Sequence, residues 1–285
     1  MELIEFTHPT SGFDALQRLC QLCPSLSECT LILYIDLMEP VPDLAPYREW
    51  RYLRKLNLLF TGCLEGAYDS EIRRTFAAVT TPALTHLSVG VSYTHHAGEH
   101  DADCIAATEN DVPFHILIER SHCELLSLDL HILLPPTFSK TLHLLPGLNL
   151  LTIRRLTLRN IPHSEDMAGT KQFNNAIQAL TPSRDRVVCP KLEQIQFMDF
   201  FPRHAVSLLA LVDARIPHTD LKKLSAAFGT LSQADIAVLE SAQQQARARE
   251  LGVRIEWEFT RDPGELPCFQ PGQSRTPVHS EFFIA

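Results

Sequence analysis

Pro190-Lys191-Leu192-Glu193-Gln194-Ile195-Gln196-Phe197 carries large apolar side chains at its third, sixth and eighth positions, behind a proline. The pattern, Leu-x-x-Leu-x-Leu with conservative replacements, ends in the two-residue alternation of a strand. It recurs at Leu53, Leu56, Leu58; at Leu84, Leu87, Val89; at Leu125, Leu128, Leu130; and at Ile153, Leu156, Leu158. Fainter copies stand at Leu26, Cys29, Leu31 and at Val253, Ile255, Trp257, and Leu221 with Leu224 opens another. Degenerate end copies are what capping units of a repeat array look like.

The first apolar residues of the five clear copies lie 31, 41, 28 and 39 residues apart, so the connecting segments vary in length and include insertions. Pro24, Pro82 and Pro190 each stand two residues ahead of a copy, where proline ends a preceding helix. One copy fits two ways. Pro146-Gly147-Leu148 precedes Leu151 and Ile153, so this strand begins at Leu148 or at Ile153, and a slip changes which side chains face outward. Between the copies, apolar residues recur at helical spacing: Phe13, Leu16, Leu19, Cys20 behind Ser11; Ile72 and Phe76 behind Ser70; Phe114, Leu117, Ile118 behind Asp111 and Pro113; Phe173, Ile177, Leu180; Val206 to Val212; and the long stretch Ser232 to Leu251. Strand and helix alternate. The expected fold is therefore α/β, an irregular leucine-rich-repeat solenoid over residues 1–260 with a curved parallel sheet and outer helices. Residues 91–111 read as a polar surface insertion, and residues 261–285, rich in proline and glycine, as a loosely ordered tail.

Composition narrows the partners. Lys and Arg number 25 against 34 Asp and Glu, a formal charge of −9, which opposes phosphate backbones and anionic lipid. Neither nucleic acid nor a membrane is an expected partner. No apolar run approaches the ~18 residues that span a bilayer, and the start, Met1-Glu-Leu-Ile-Glu-Phe, lacks the basic residues of a secretory signal. A cytoplasmic or nuclear location follows, and with it eight cysteines read as reduced core thiols. Cys20 and Cys23 have ligand-like spacing with Cys29 nearby, but no second pair completes a zinc site, and packing inward near a helix end accounts for them.

Short catalytic signatures are missing: there is no Gly-x-Ser-x-Gly elbow, no phosphate loop and no dinucleotide glycine motif. The 11 glycines disfavour backbone cradles for phosphate. No enzyme activity and no cofactor are expected. The one constellation with metal-binding chemistry is His95, His96, Glu99, His100, Asp103 and Cys104. Its candidate ligands are His95, His96 and His100. Gly98 lies within the stretch and no apolar periodicity holds it rigid, so a solvated loop is the competing reading.

With the repeat leucines turned inward, the residues between them line the opposite face of the sheet and become the candidate partner contacts. On this reading they are Asn57, Leu59, Ser88, Asp129, His131, Thr157, Arg159, Gln196, Met198, Glu256 and Glu258. Arg154, Arg155 and Arg159 add a local positive patch suited to an acidic or phosphorylated segment, with Arg155 and Arg159 as its binding residues. The alternative is that these arginines pair with carboxylates such as Asp129 or Glu193 and solubilise the face. His131 is either a contact or a satisfied histidine of the ladder.

Cys189-Pro-Lys-Leu-Glu-Gln-Ile-Gln-Phe, the preceding Leu180-Thr-Pro, and the closing Leu251-Gly-Val-Arg-Ile-Glu-Trp resemble the leucine-rich-repeat region of fungal F-box-like proteins, over roughly residues 13–259. The resemblance implies protein recognition, and substrate recognition for a cullin-type ubiquitin ligase. The Leu-Pro-x-Glu signature of the F-box, which holds the Skp-type adaptor, does not stand in this chain; Leu3, Ile4 and Phe6 read as the end of a half-repeat. Contact with that adaptor is therefore the part of the implied function that these residues do not carry. A repeat scaffold without a ligase role and a metal hydrolase built on the histidine-rich stretch are the competing functions.

Overall fold

Five of the recurring units open on a β-turn in which the first leucine donates its N–H to the carbonyl three residues back: Leu26 to Cys23, Leu53 to Trp50, Leu84 to Thr81, Leu148 to Leu145 and Leu192 to Cys189, at 3.0 to 3.4 Å. In four of these turns a proline occupies the second position, where its fixed φ suits the turn and its missing N–H costs nothing. A second recurrence follows one residue later. The carbonyls of Ser27, Arg54, Thr85, Leu126, Asn149 and Glu193 each accept two successive N–H groups from the next unit, and Lys222 accepts one from Arg254. Each unit is thus keyed to its neighbour by backbone alone, at the residue after its first leucine.

The computed structural model describes residues 3–5, 16, 19–35, 48–62, 68–93, 112–132, 134, 135, 137–155, 167–183, 187–200, 202–228, 237–242 and 253–259. Its strands are β1 (Leu3–Glu5), β2 (Glu28–Ile35), β3 (Arg48–Glu49), β4 (Lys55–Gly62), β5 (Val79–Thr80), β6 (His86–Tyr93), β7 (Ser127–His131), β8 (Leu150–Arg154), β9 (Gln194–Phe200), β10 (Lys223–Phe228) and β11 (Arg254–Phe259). Nine of them form one sheet in the order β1-β2-β4-β6-β7-β8-β9-β10-β11, every pair parallel. The small strands β3 and β5 pair with each other and hold Trp50, which is fully buried and donates its indole N–H to the Cys23 carbonyl at 3.1 Å. Helices Tyr68–Ala78, His115–Ser121, Phe138–His143, Met167–Leu180 and Ala205–Arg215 lie in the connections. The fold class is α/β.

The strands of the sheet follow chain order, and the described helices of the connections pack on one side of it. That side is the core. The second and third apolar positions of the units meet in register as two continuous rows, Cys29-Leu56-Leu87-Leu128-Leu151-Ile195-Leu224-Ile255 and Leu31-Leu58-Val89-Leu130-Ile153-Phe197-Ala226-Trp257, all buried. Against them pack Ile72 and Phe76, Leu117 and Ile118, Phe138 and Leu142, Phe173 and Ala176, and Leu208 and Val212. At ~1.5 to 3 kcal/mol per fully buried large apolar side chain, these rows dominate the stability of the sheet.

Of the two starting points open to the fourth unit, the chain takes Leu148: Leu148, Leu151 and Ile153 are all fully buried. The Leu145 turn and the Leu126 carbonyl fix its start, and the strand ends at Arg154. Of the segment expected as an insertion at about 91–111, residues 91–93 belong to β6. The rest of that segment, the residues 261–285 and most of Ser232 to Leu251 lie outside the described residues. No helix among the described residues is long and apolar enough to cross a membrane.

Candidate functional site

Parallel sheets normally bury both faces, but here the alternate residues of the strands are only partly covered. In β7, Ser127, Asp129 and His131 are half-buried while Leu128 and Leu130 are fully so. Register makes the open face a set of rows. The central one runs Thr30-Asn57-Ser88-Asp129-Thr152-Gln196-Ser225-Glu256 and is polar from β2 to β11. Three neighbouring pairs within it are bonded: Asn57 Nδ2 donates to Thr30 Oγ1 at 2.9 Å, Thr152 Oγ1 to Gln196 Oε1 at 3.1 Å, and Ser225 Oγ to Glu256 Oε2 at 3.4 Å. Opposite side chains on one face of a sheet stabilise each other in this way.

The row beyond it, toward the C-terminal ends of the strands, begins Ile32-Leu59-Gly90-His131. Leu59 is therefore on the open face but buried within it, because Gly90 beside it has no side chain and Leu59 leans into the space. From β8, Arg154 lays its guanidinium on Asp129, with Nε to Oδ1 at 3.0 Å and Nη2 to Oδ2 at 3.0 Å. In β9 the register with β10 slips by one residue between Phe197 and Phe200. The extra residue forms a bulge at which Asp199 takes φ 64°, a left-handed conformation uncommon outside glycine. The bulge turns the exposed Asp199 outward while Phe200 returns to the core.

Charge on this face is largely paired. At the far end Glu256 receives Lys223 Nζ and Arg254 Nε, each at 2.6 Å; burial alone would push its carboxyl up, but these partners and Ser225 hold it below the ordinary range. His131 is moved the other way. Burial first, then the Arg154 charge, lower its imidazole below the usual histidine value, against the pull of Asp199, Asp129 and a hydrogen bond to the Arg155 backbone. Its Nδ1 is buried and has no partner.

Among the residues expected on this face, Asn57, Ser88, Asp129, His131, Gln196, Met198 and Glu256 stand there half-buried, with Leu59 buried beside them. Glu258 falls in β11 at the matching position. Arg155 does not belong to this face. With the unit starting at Leu148, alternation from Leu151 and Ile153 turns Arg155 to the covered side, where it is 8% exposed and donates Nη1 to the Asp199 carbonyl at 3.3 Å. Thr157 and Arg159 lie beyond the end of β8 and outside the described residues, as do His95, His96 and His100. Among the described residues no group of three His, Cys, Asp or Glu side chains is placed to hold a metal ion.

Arg154, read as part of a positive patch, takes the alternative given for it and pairs with Asp129. Three contributors escaped the sequence reading. Thr152 was hidden by the uncertain register. Asp199 gave no signal, since a bulge depends on the neighbouring strand. Gln172, fully buried, donates from the Met167–Leu180 helix to the carbonyls of Ile132 at 2.7 Å and Arg154 at 2.8 Å, capping the ends of β7 and β8 from beneath. Comparison with protein-family models, with curated proteins and with solved structures finds no match to this chain.

Proposed function

We propose that this chain is an irregular leucine-rich-repeat solenoid that recognises a protein partner on the open face of its sheet and carries out no chemistry of its own. The observation that carries the reading is the central row of eight polar side chains, one per strand from Thr30 to Glu256, on the face that the connecting helices leave uncovered. Polar side chains on sheet strands, six of the eight half-buried and three neighbouring pairs bonded, form a preorganised surface, which loses little entropy on binding. The unit-to-unit backbone keying and the alternation of strand and helix support the repeat assignment. The resemblance of the Cys189-Pro-Lys-Leu and Leu251-Gly-Val segments to fungal F-box-like proteins supports substrate recognition for a ubiquitin ligase as the setting.

The test is a pull-down with quantitative mass spectrometry comparing the native chain with two variants. Asn57→Arg combined with Gln196→Arg places bulk and charge on the open face, whereas Val206→Arg alters the exposed side of an outer helix. Partners lost only from the first variant support the reading; partners kept by it, or lost equally from both, overturn it. A Skp-type adaptor among proteins retained by both variants places the chain in a ligase; without one, the repeat scaffold is the better description.

A further inference from the structure

We propose that His131 is a pH-operated seat on the open face: neutral, its ring lies over Gly90 and closes the gap there, and on taking a proton it leaves and opens that gap beside the Arg154–Asp129 pair. The consequence for partner binding rests on the open face being the recognition surface; the movement of the ring does not.

Gly90 and His131 are direct partners in the β6–β7 ladder. A Cβ placed on Gly90 would meet Leu59 Cδ1 at 3.1 Å, His131 Cβ at 3.7 Å and His131 Nδ1 at 3.9 Å, so the space of the missing side chain is filled from both sides by Leu59 and His131. Nδ1 is buried in this seat without a partner, so the neutral ring is better served with its proton on Nε2, which leaves Nδ1 a bare acceptor rather than an unpaired donor.

Protonation would put a second N–H at Nδ1, facing glycine backbone and a leucine methyl, where nothing accepts it. The charged groups around the ring do not supply an acceptor. Asp129, on the same strand, has both carboxylate oxygens engaged by Arg154. Arg154 at the end of β8 and Arg155 after it are cations, and Asp199 on the β9 bulge, whose own carboxyl burial pushes up, favours the charged ring without outweighing burial and Arg154. Gly90 and Ser88 on β6 and Leu59 and Asn57 on β4 carry no charge. A charged His131 therefore finds hydration and an acceptor only by turning out to solvent, and Gly90 has no side chain to close the space behind it.

Linkage gives the sign. The folded-state value lies below the ordinary 6.5, so above 6.5 the ring is neutral in both states and its contribution to stability is complete. As pH falls below 6.5 the unfolded chain takes the proton first, and the contribution is lost progressively down through the folded-state value.

The experiment is a nuclear magnetic resonance titration of the full chain, labelled at histidine rings and leucine methyls, from about pH 8 to about pH 5. The His131 ring, assigned through its backbone, is expected as the Nε2–H tautomer with a midpoint below 6.5, and the Leu59 methyl resonances move with the same midpoint. A midpoint at or above 6.5, or Leu59 methyls that stay still through it, overturns the proposal. Urea unfolding gives an independent readout: the stability difference between the native chain and His131→Asn shrinks as pH falls, and a difference constant with pH overturns it. Neither measurement involves a partner, so failure here is distinct from failure of the recognition reading.

Discussion

Arg154 and Asp129 meet edge to edge across the β7–β8 ladder, with three nitrogen-to-oxygen contacts of 3.0 to 3.2 Å, although Thr152 and not Arg154 is the register partner of Asp129. The pair is diagonal and partly exposed, at 39% for the arginine and 27% for the aspartate. An ion pair so placed is well oriented but screened. Arg154→Gln is expected to cost less than about 1 kcal/mol, and the cost should shrink further in high salt. Urea unfolding at low and high ionic strength measures both; a larger loss that salt does not touch would mean that the pair is effectively dry.

Register in the fourth unit makes a sharper prediction. Leu148 is fully buried, so Leu148→Ala should cost ~2 to 5 kcal/mol through lost burial and the cavity left behind. Arg155→Glu should lower the melting temperature as well, since it sets a carboxylate on the covered side facing the Asp199 carbonyl. An Arg155→Glu protein that melts like the native chain would return that side chain to the open face.

Arg215, with none of its surface exposed, donates Nη1 to the Leu180 carbonyl at 2.6 Å and Nη2 to the carbonyls of Val188 and Cys189 at 2.8 and 3.1 Å. One planar fork therefore holds the end of the Met167–Leu180 helix to the turn that starts the next unit. Arg215→Met leaves these acceptors buried, at about 1 to 3 kcal/mol each, and is expected to destabilise the protein severely. Arg215→Lys should recover only part of the loss, because a single ammonium cannot reach all three carbonyls. Calorimetry of the two variants separates a fork from a simple charge.

Burial pushes the thiols of Cys20, Cys29 and Cys189 up to about 12, so they stay protonated and shielded near neutral pH. Alkylation with iodoacetamide, followed by peptide mass mapping, should leave these three unmodified in the native protein and modify them on unfolding. Rapid native labelling of any of them would require that its surroundings open locally.

Much of this architecture was legible because it depends on local rules. The leucine frame, the strand-helix alternation and the proline-led turns need only the two-residue period of a strand, the helical period and the fixed φ of proline. The candidate face was legible to the same extent, and seven of its residues outside the fourth unit, from Asn57 to Met198, stand in or on it. The fourth unit failed for a reason visible in its composition. Leu148, Leu151, Ile153, Leu156 and Leu158 satisfy the frame at two starting points, and only the hydrogen bonds to Leu126 and from the turn at Leu145 distinguish them.

By itself the chain's sequence specified an α/β protein of stacked strand-helix units and named which residues of most strands share a face, because side-chain alternation follows from backbone geometry. Tertiary structure alone decided the rest. It exchanged Arg155 for Arg154 on the open face, inserted the Asp199 bulge, and seated His131 against Gly90. Each of these is set by what lies on the neighbouring strand, and no local pattern carries the identity of a residue's neighbour across a ladder.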